Sequence, residues 1–309
     1  MKRILKSIVI ILVAACVYSL IPVAGLYLSG NQPPYTNSQV AEKLKSHKGS
    51  YFEFIVFSDN HAGLIFDDSA TLKLVRSINH ERRFKKVPID FAAIAGDITF
   101  RGSAWDYCVF SRIRSQVKVP VISAMGNHDE DKDDGSLFKK YTGEKDFSFS
   151  DRNSYFIVID NISGNVSDGQ FYNLEEDLKK SAAYTHRFII MHKPPFAPYF
   201  QSWYRPEGNA WSYRFMKLCE QYKVDIVFSG HEHIFKAKEF GGVKYITTGG
   251  GGMPTQIPGA GGAFLHYTVV KVYGDYVDYE VRKVFPPLWE FFSYYMWSDI
   301  FYFLKDALS

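Results

Sequence analysis

The sequence predicts an α/β domain whose chemistry lies just beyond the ends of its strands. Two observations carry this reading. Short apolar runs with β-strand character alternate with helix-like segments through most of the 309 residues, the pattern of an α/β domain. Five of those runs end in polar blocks that hold nearly all of the informative side chains, the place where open α/β sheets put their ligands.

In chain order, strands are expected near residues 51–58, 89–95, 119–125, 154–160, 187–191, 224–229, 243–248, 264–272 and 276–284. Helices are expected near 69–83, 104–116, 173–183 and 210–222. In the first helix Leu72, Val75 and Ile78 recur at a helical interval, and in the third Asn173 is the candidate N-cap before Leu174-Glu175-Glu176. Glycines at 249–252 and 259–262 fit neither GxxxxGK[ST] nor GxGxxG, so tight turns near the site are expected rather than a phosphate loop.

A hydrophobic fraction of 46% supports a substantial core, and a net charge of +3 is too small to point to nucleic-acid binding. Cys16, Cys108 and Cys219 form no disulfide framework, and no CxxC or Cys-His zinc spacing exists. Cys108 and Cys219 read as buried thiols, with a bridge between them as the alternative.

The polar blocks are Asp59-Asn60-His61, Gly96-Asp97, Gly126-Asn127-His128-Asp129, Met191-His192-Lys193 and Gly230-His231-Glu232-His233. Carboxylates, imidazoles and an amide delivered to one sheet rim are hard or borderline ligands, enough to hold two divalent ions. Residues two apart on an extended segment point the same way, so Asp59/His61 and His231/His233 can each reach one centre.

In order and content these blocks resemble D-x-H, G-D, G-N-H-[DE], H and G-H-x-H of the calcineurin-like metallophosphoesterase superfamily, over about residues 50–284. The resemblance implies the metallo-dependent phosphatase fold, a four-layer α/β/β/α sandwich of two mixed sheets. It implies that Asp97 bridges two metal ions, with Asp59, His61 and His233 completing one site and Asn127, His192 and His231 the other. The ions would be divalent or mixed-valence Mn, Fe or Zn, since the ligands are oxygen and nitrogen without thiolate. His128 would contact the phosphate and help the leaving group. The implied reaction is hydrolysis of a phosphate ester by a water that the metals activate. Asp129 and Asp225 are candidates to orient ligand histidines, though a solvated surface role is the simpler expectation for both. His47, His80, His186 and His266 read as structural.

The chain divides into an N-terminal anchor or signal segment (1–30), a linker (31–50), the catalytic domain (51–284) and an aromatic tail (285–309). Residues 8–28 carry no charge and follow Lys2, Arg3 and Lys6, as in a membrane anchor that leaves the domain extracytoplasmic, periplasmic or at the cell surface. A lipoprotein modified at Cys16, after Val13-Ala14-Ala15, and a cleaved signal are the rivals. The tail's Trp, Tyr and Phe residues suit either a membrane interface or the domain's own surface.

Residues 130–143 and 196–211 follow ligand blocks and are expected to set specificity. They match no named pattern, so phosphomonoesters, phosphodiesters and pyrophosphates all stay open, lipid-linked esters being favoured by the anchor. The alternatives are a cytoplasmic-face pyrophosphohydrolase of lipid precursors and a non-catalytic scaffold of the same superfamily.

Overall fold

The computed structural model describes residues 7, 10, 14, 17, 20–30, 35–84, 86–130, 135–196, 210–253 and 264–285. Cys16, most of the aromatic tail and the central parts of both specificity segments lie outside them. Among the described residues no helix is long and apolar enough to cross a membrane.

Two mixed sheets form the centre. The first has five strands, β1 (Tyr51–Phe57), β2 (Ile89–Ile94), β3 (Val121–Ser123), β10 (His266–Tyr273) and β11 (Tyr276–Lys283), in the order β11-β10-β1-β2-β3. The second has six, β4 (Phe147–Asp151), β5 (Ser154–Ile159), β6 (His186–Met191), β7 (Ile226–Ser229), β8 (Phe235–Phe240) and β9 (Val243–Thr248), in the order β4-β5-β6-β7-β9-β8. β1, β2 and β3 run parallel, as do β5, β6, β7 and β9. The ligand-bearing loops therefore emerge from strand ends that point the same way within each sheet.

Period-2 alternation in β1 sorts the layers. Phe52, Phe54 and Val56 pack with Phe156, Phe188 and Phe228 of the second sheet in one buried core. Ile55 and Phe57 face the opposite way, toward helices α2 (Ile65–Phe84) and α3 (Ala104–Gln116). On the far side, Ile157, Ile189 and Val227 pack under α5 (Asp168–Lys180) and α6 (Ala210–Gln221). The layers read α/β/β/α. Phe54 is the hub between the sheets, with ring centroids 5.2 Å from Phe156 and 5.1 Å from Phe188; truncating such a buried ring costs about 3–5 kcal/mol.

Several expectations need correction. Asn173 lies inside α5, which starts earlier at a capping box of Ser167 and Gln170. β4 and β8 were not anticipated, and neither was α4 (Ser136–Thr142). The linker range holds a short helix, α1 (Asn37–Leu44), capped by Thr36 and Gln39. It belongs to the domain, because Asn37 exchanges two hydrogen bonds with the Ser123 backbone and Val40 and Leu44 are buried in the inter-sheet core. Cys108 and Cys219 are both free thiols.

Residues 20–28 are helical and also pack on the domain. Val23 and Leu26 are buried against the α2/α3 layer. The Tyr27 hydroxyl donates to Asp68 Oδ2 at 2.5 Å, and Arg112 Nη1 donates to the Tyr27 carbonyl at 2.8 Å.

Candidate metal centre

The loops after β1 and β2 stay hydrogen-bonded past the strands. Asp59 N donates to the Gly96 carbonyl, His61 N to that of Asp97 and Ala62 N to that of Ile98, each at 3.1 Å. This zipper sets Asp59 and His61 beside Asp97. The chain here is not extended: Asp59, His61, Asp97 and His231 all have left-handed backbones, with φ of 62°, 46°, 51° and 68°. They are four of the six non-glycine residues with positive φ among the described residues, and such conformations cost free energy that packing around a functional site can hold in place.

The structure brings the seven expected ligand residues together. Ligand atoms of Asp59, His61, Asp97 and His233 lie within 4.8 Å of one another, and so do those of Asp97, His192 and His231. Asn127 joins the second group through Oδ1, 3.1 Å from His192 Nε2. His231 and His233 thus diverge into different groups, as the resemblance implies and against the simple spacing of an extended segment; the left-handed backbone at His231 supplies the turn. Asp97 stands in both groups. Its Oδ2 lies 3.5 Å from His61 Nε2 and 3.2 Å from His192 Nε2.

Side chains alone leave this arrangement incomplete. His61 is fully buried, yet neither of its ring nitrogens has a hydrogen-bond partner. A buried polar group without a partner costs about 1–3 kcal/mol, and a cation on Nε2 would remove that deficit at one of the two nitrogens. Separations of 3.1–3.5 Å between neighbouring ligand atoms suit two donors that each sit about 2.0–2.2 Å from one ion. His192 Nδ1 faces the Ala95 carbonyl at 2.9 Å, which fixes Nε2 as the atom turned to the centre.

Charge in the cluster is strongly redistributed. Burial would raise the Asp97 carboxyl, but the charge and hydrogen bond of His192, with His61 and His128, hold it well below the usual carboxylate range. Burial and the surrounding histidines keep His61 down at about 4 and His231 at about 3. Metal ligation requires neutral imidazole, so both are ready at neutral pH. Burial also works against the charge on His192, yet Asp97 overrides it and lifts the imidazole to about 9.

His128 sits apart from both ligand groups. Its amide donates to Asp97 Oδ1 at 2.8 Å, its Nδ1 faces the Phe100 carbonyl at 2.8 Å, and its ring lies 4.5 Å from that of His61. The residue is half-buried.

Three residues of the centre's support were missed or misread. Asp129 is fully buried rather than solvated, and it accepts from the backbones of Ile98, Thr99 and Gly126 and from the Thr99 hydroxyl. It clamps the Gly-Asp block to the Gly-Asn-His block. Asn161 does the same for His192: its Oδ1 accepts from the amides of His192 and Lys193, and its Nδ2 donates to the Lys193 carbonyl. Its position just past the apolar run of β5 is the signal that could have found it. Ser58, the third, donates to the carbonyls of Ala95 and Gly96. Asp225 does not reach the centre; it accepts from the Arg187 amide and pairs with His186 at 3.2 Å. His266 is buried on the Phe264 carbonyl, and Lys193 Nζ donates to that of Ile162. The glycine run at 249–252 is a turn packed on the site. A Cβ at Gly249 would stand 2.8 Å from Asp59 Oδ2, and the Gly251 amide donates to the Ser58 carbonyl at 2.8 Å.

Comparison with known proteins fits this geometry. Residues 52–235 match the sequence profile of the family described as Calcineurin-like phosphoesterase. The chain is 26% identical over 212 residues to a probable cyclic nucleotide phosphodiesterase of Vesicomyosocius okutanii, covering 63% of this chain and 84% of that protein. It is 30% identical over 159 residues to purple acid phosphatase 23 of Arabidopsis thaliana, covering 44% of this chain and only 34% of that protein. Among solved structures, a purple acid phosphatase from yellow lupin seeds superposes with a TM-score of 0.60 at 16% identity, over 82% of this chain and 54% of that one. The chain thus spans about a third and about half the length of these two phosphatases. The profile match runs from the first core strand to His233 and covers more than half of the sequence, and the chain belongs to the calcineurin-like phosphoesterases, metal-dependent hydrolases of phosphate esters.

Proposed function

We propose that the protein is a dinuclear phosphoesterase, tethered to a membrane by its N-terminal segment, with its catalytic domain outside the cytoplasm. The observation that carries the dinuclear reading is the position of Asp97 Oδ2 between His61 and His192. Asp59, His61, Asp97 and His233 would hold one ion, and Asp97, Asn127, His192 and His231 the other. The mixed oxygen and nitrogen set favours Mn, Fe or Zn. Bound there, the ions would supply Lewis acidity that neutralises phosphoryl charge and lowers the pKa of water.

The chain's own residues do the rest. The Phe100 carbonyl orients the His128 ring, and His128 Nε2 donates a proton to the oxygen that leaves phosphorus. The clamps of Asp129 and Asn161 keep the ligand loops from relaxing when substrate binds, so the geometry is set in advance. The product is an alcohol plus a phosphate, formed without a covalent enzyme intermediate.

Docking of Val23, Leu26 and Tyr27 supports an N-terminal segment that is retained, since cleavage near Ala24 would remove part of the fold's own packing. The relatives include a probable cyclic nucleotide phosphodiesterase and a purple acid phosphatase, so substrate class is the open variable. Purified protein loaded with Mn should be assayed against phosphomonoesters, phosphodiesters, pyrophosphates and lipid phosphates. Turnover of at least one ester class, abolished by chelation, is expected. No turnover of any class by protein carrying two metal equivalents would overturn the catalytic reading. A topology reporter at the C-terminus tests the orientation: a reporter active only in the cytoplasm would contradict it.

A further inference from the structure

The end of the apolar N-terminal segment docks on one particular edge of the domain. Tyr27 lies between the first turns of α2 and α3: its hydroxyl reaches Asp68, and its ring stands 5.5 Å from that of Trp105. Those first turns follow directly on the ligand loops. Gly63 N, two residues beyond His61, donates to Asp68 Oδ1, and Arg101 N donates to Asp106 Oδ2. The segment therefore meets the domain at the rim that carries the metal ligands.

Before Val23 the described residues are largely exposed. Ile10, Val17 and Ile21 are helical and each close to 60% exposed. Residues 8–22, as a helix, would extend roughly 22 Å at 1.5 Å per residue, less than the ~30 Å hydrocarbon core. No polar spacer separates this stretch from the docked residues 23–28. Burying the apolar stretch in lipid draws the rim onto the bilayer surface. The rim is apolar where this requires it: Leu28 is 87% exposed, Ile65 40%, Phe66 50% and Trp105 48%. A tryptophan among aliphatic and aromatic neighbours is the composition of a membrane–water interface.

We propose that Leu28, Ile65, Phe66 and Trp105 form a surface that seats in the outer face of the bilayer, so that the metal centre opens at headgroup level. The substrates are then amphiphilic phosphate esters whose phosphate stands at the interface while the apolar part stays in the membrane. This rests on the membrane-tethered reading above and adds an orientation and a substrate class to it.

The full chain, reconstituted into phosphatidylcholine–phosphatidylglycerol vesicles, carries single environment-sensitive labels at Leu28→Cys, Phe66→Cys or Tyr172→Cys in a Cys16→Ala, Cys108→Ala background. Tyr172 is an exposed aromatic on α5, in the opposite helix layer. Labels at 28 and 66 should shift to the blue and be quenched by lipid-borne nitroxide, while the label at 172 should do neither. In a second arm, Phe66→Ser should raise KM for a long-chain phosphate ester presented in vesicles about tenfold, with kcat/KM for a short soluble ester unchanged. Vesicle-bound protein whose label at 66 behaves like that at 172 overturns the orientation and leaves the tether standing. Protein that fails to float with vesicles overturns the tether itself. Equal losses on soluble and vesicle-borne esters overturn the substrate class.

Discussion

The backbone amide of His128 holds Asp97 Oδ1 at 2.8 Å, leaving Oδ2 as the oxygen shared between the two ligand groups. A bridge between two ions would thus fall to one carboxylate oxygen, while the other ties Asp97 to the loop that carries Asn127 and His128. The residue proposed to protonate the leaving group and the residue proposed to join the metals are positioned by one hydrogen bond.

Asp97→Ala removes the shared oxygen and the anchor of the His128 loop together. Metal content measured by elemental analysis should fall from two equivalents per chain to less than one, with hydrolysis lost. Two retained equivalents would show that the ions do not depend on this bridge.

His128→Ala should separate chemistry from metal binding. Both ions should stay, while turnover falls by about 10²–10⁴-fold, the usual worth of general-acid assistance. The loss should be largest for alkyl esters and smaller for nitrophenyl esters, whose leaving oxygen needs little protonation. Loss of metal along with activity would make His128 a ligand. Equal losses for both kinds of ester would reduce it to a phosphate-positioning residue.

Gly126→Ala tests how tightly the bridge is packed. An added Cβ would lie 2.1 Å from Asp97 N and 2.2 Å from Asp97 Oδ1, where only movement of the backbone can make room. Metal affinity should fall at least about tenfold, in the range seen when a ligand's supporting contacts are lost. Gly169→Ala in α5, with nothing within 4 Å of the new methyl, should leave affinity unchanged and raise stability by about 0.4–1 kcal/mol. Equal effects at the two sites would contradict the packing argument.

Away from the metal centre, Asp151 sets a pH dependence. It is fully buried beside Asp90, and burial and that neighbour push its carboxyl up to about 8. An unfolded chain releases this proton near pH 3.9. Folding therefore favours the protonated form: the contribution is complete below about pH 4 and is lost as pH rises to 8. Asp151→Asn keeps an oxygen for His47 Nδ1, now 3.1 Å from Asp151 Oδ1, and an N–H for Asp90. The variant should melt at least roughly 2–4 °C higher than the parent at pH 8, the effect of about 1 kcal/mol, and the gap should close toward pH 5. A gap that is the same at both pH values would rule out Asp151 as the titrating group.

Legibility in the sequence followed physical cause. Strands buried on both faces, such as Phe54–Phe57 and Phe188–Met191, show as continuous short apolar runs. β8 escaped because Phe235–Phe240 is an edge strand, Lys-rich and half-exposed, as edge strands are. β4 escaped because Phe147–Asp151 alternates Phe with Ser over only five residues. At the site, the ligand blocks were visible because metal binding restricts residue type. Asn161 and the burial of Asp129 were not, because both residues accept backbone N–H groups from loops distant in sequence, and only the fold reveals which loops meet. The divergence of His231 from His233 was implied by the family resemblance but not by spacing, because the left-handed backbone at His231 is imposed by packing and not announced by a glycine at that position.

In the proposed centre two ions share Asp97. Anomalous diffraction from a crystal of the Mn-loaded full chain tests it most directly. Two manganese peaks about 3.5–4 Å apart, the spacing of two-metal phosphoryl-transfer centres, are predicted, one flanked by Asp59, His61 and His233, the other by Asn127, His192 and His231, with Asp97 Oδ2 between them. A single peak in fully loaded protein, or two peaks of which only one touches Asp97, would contradict it.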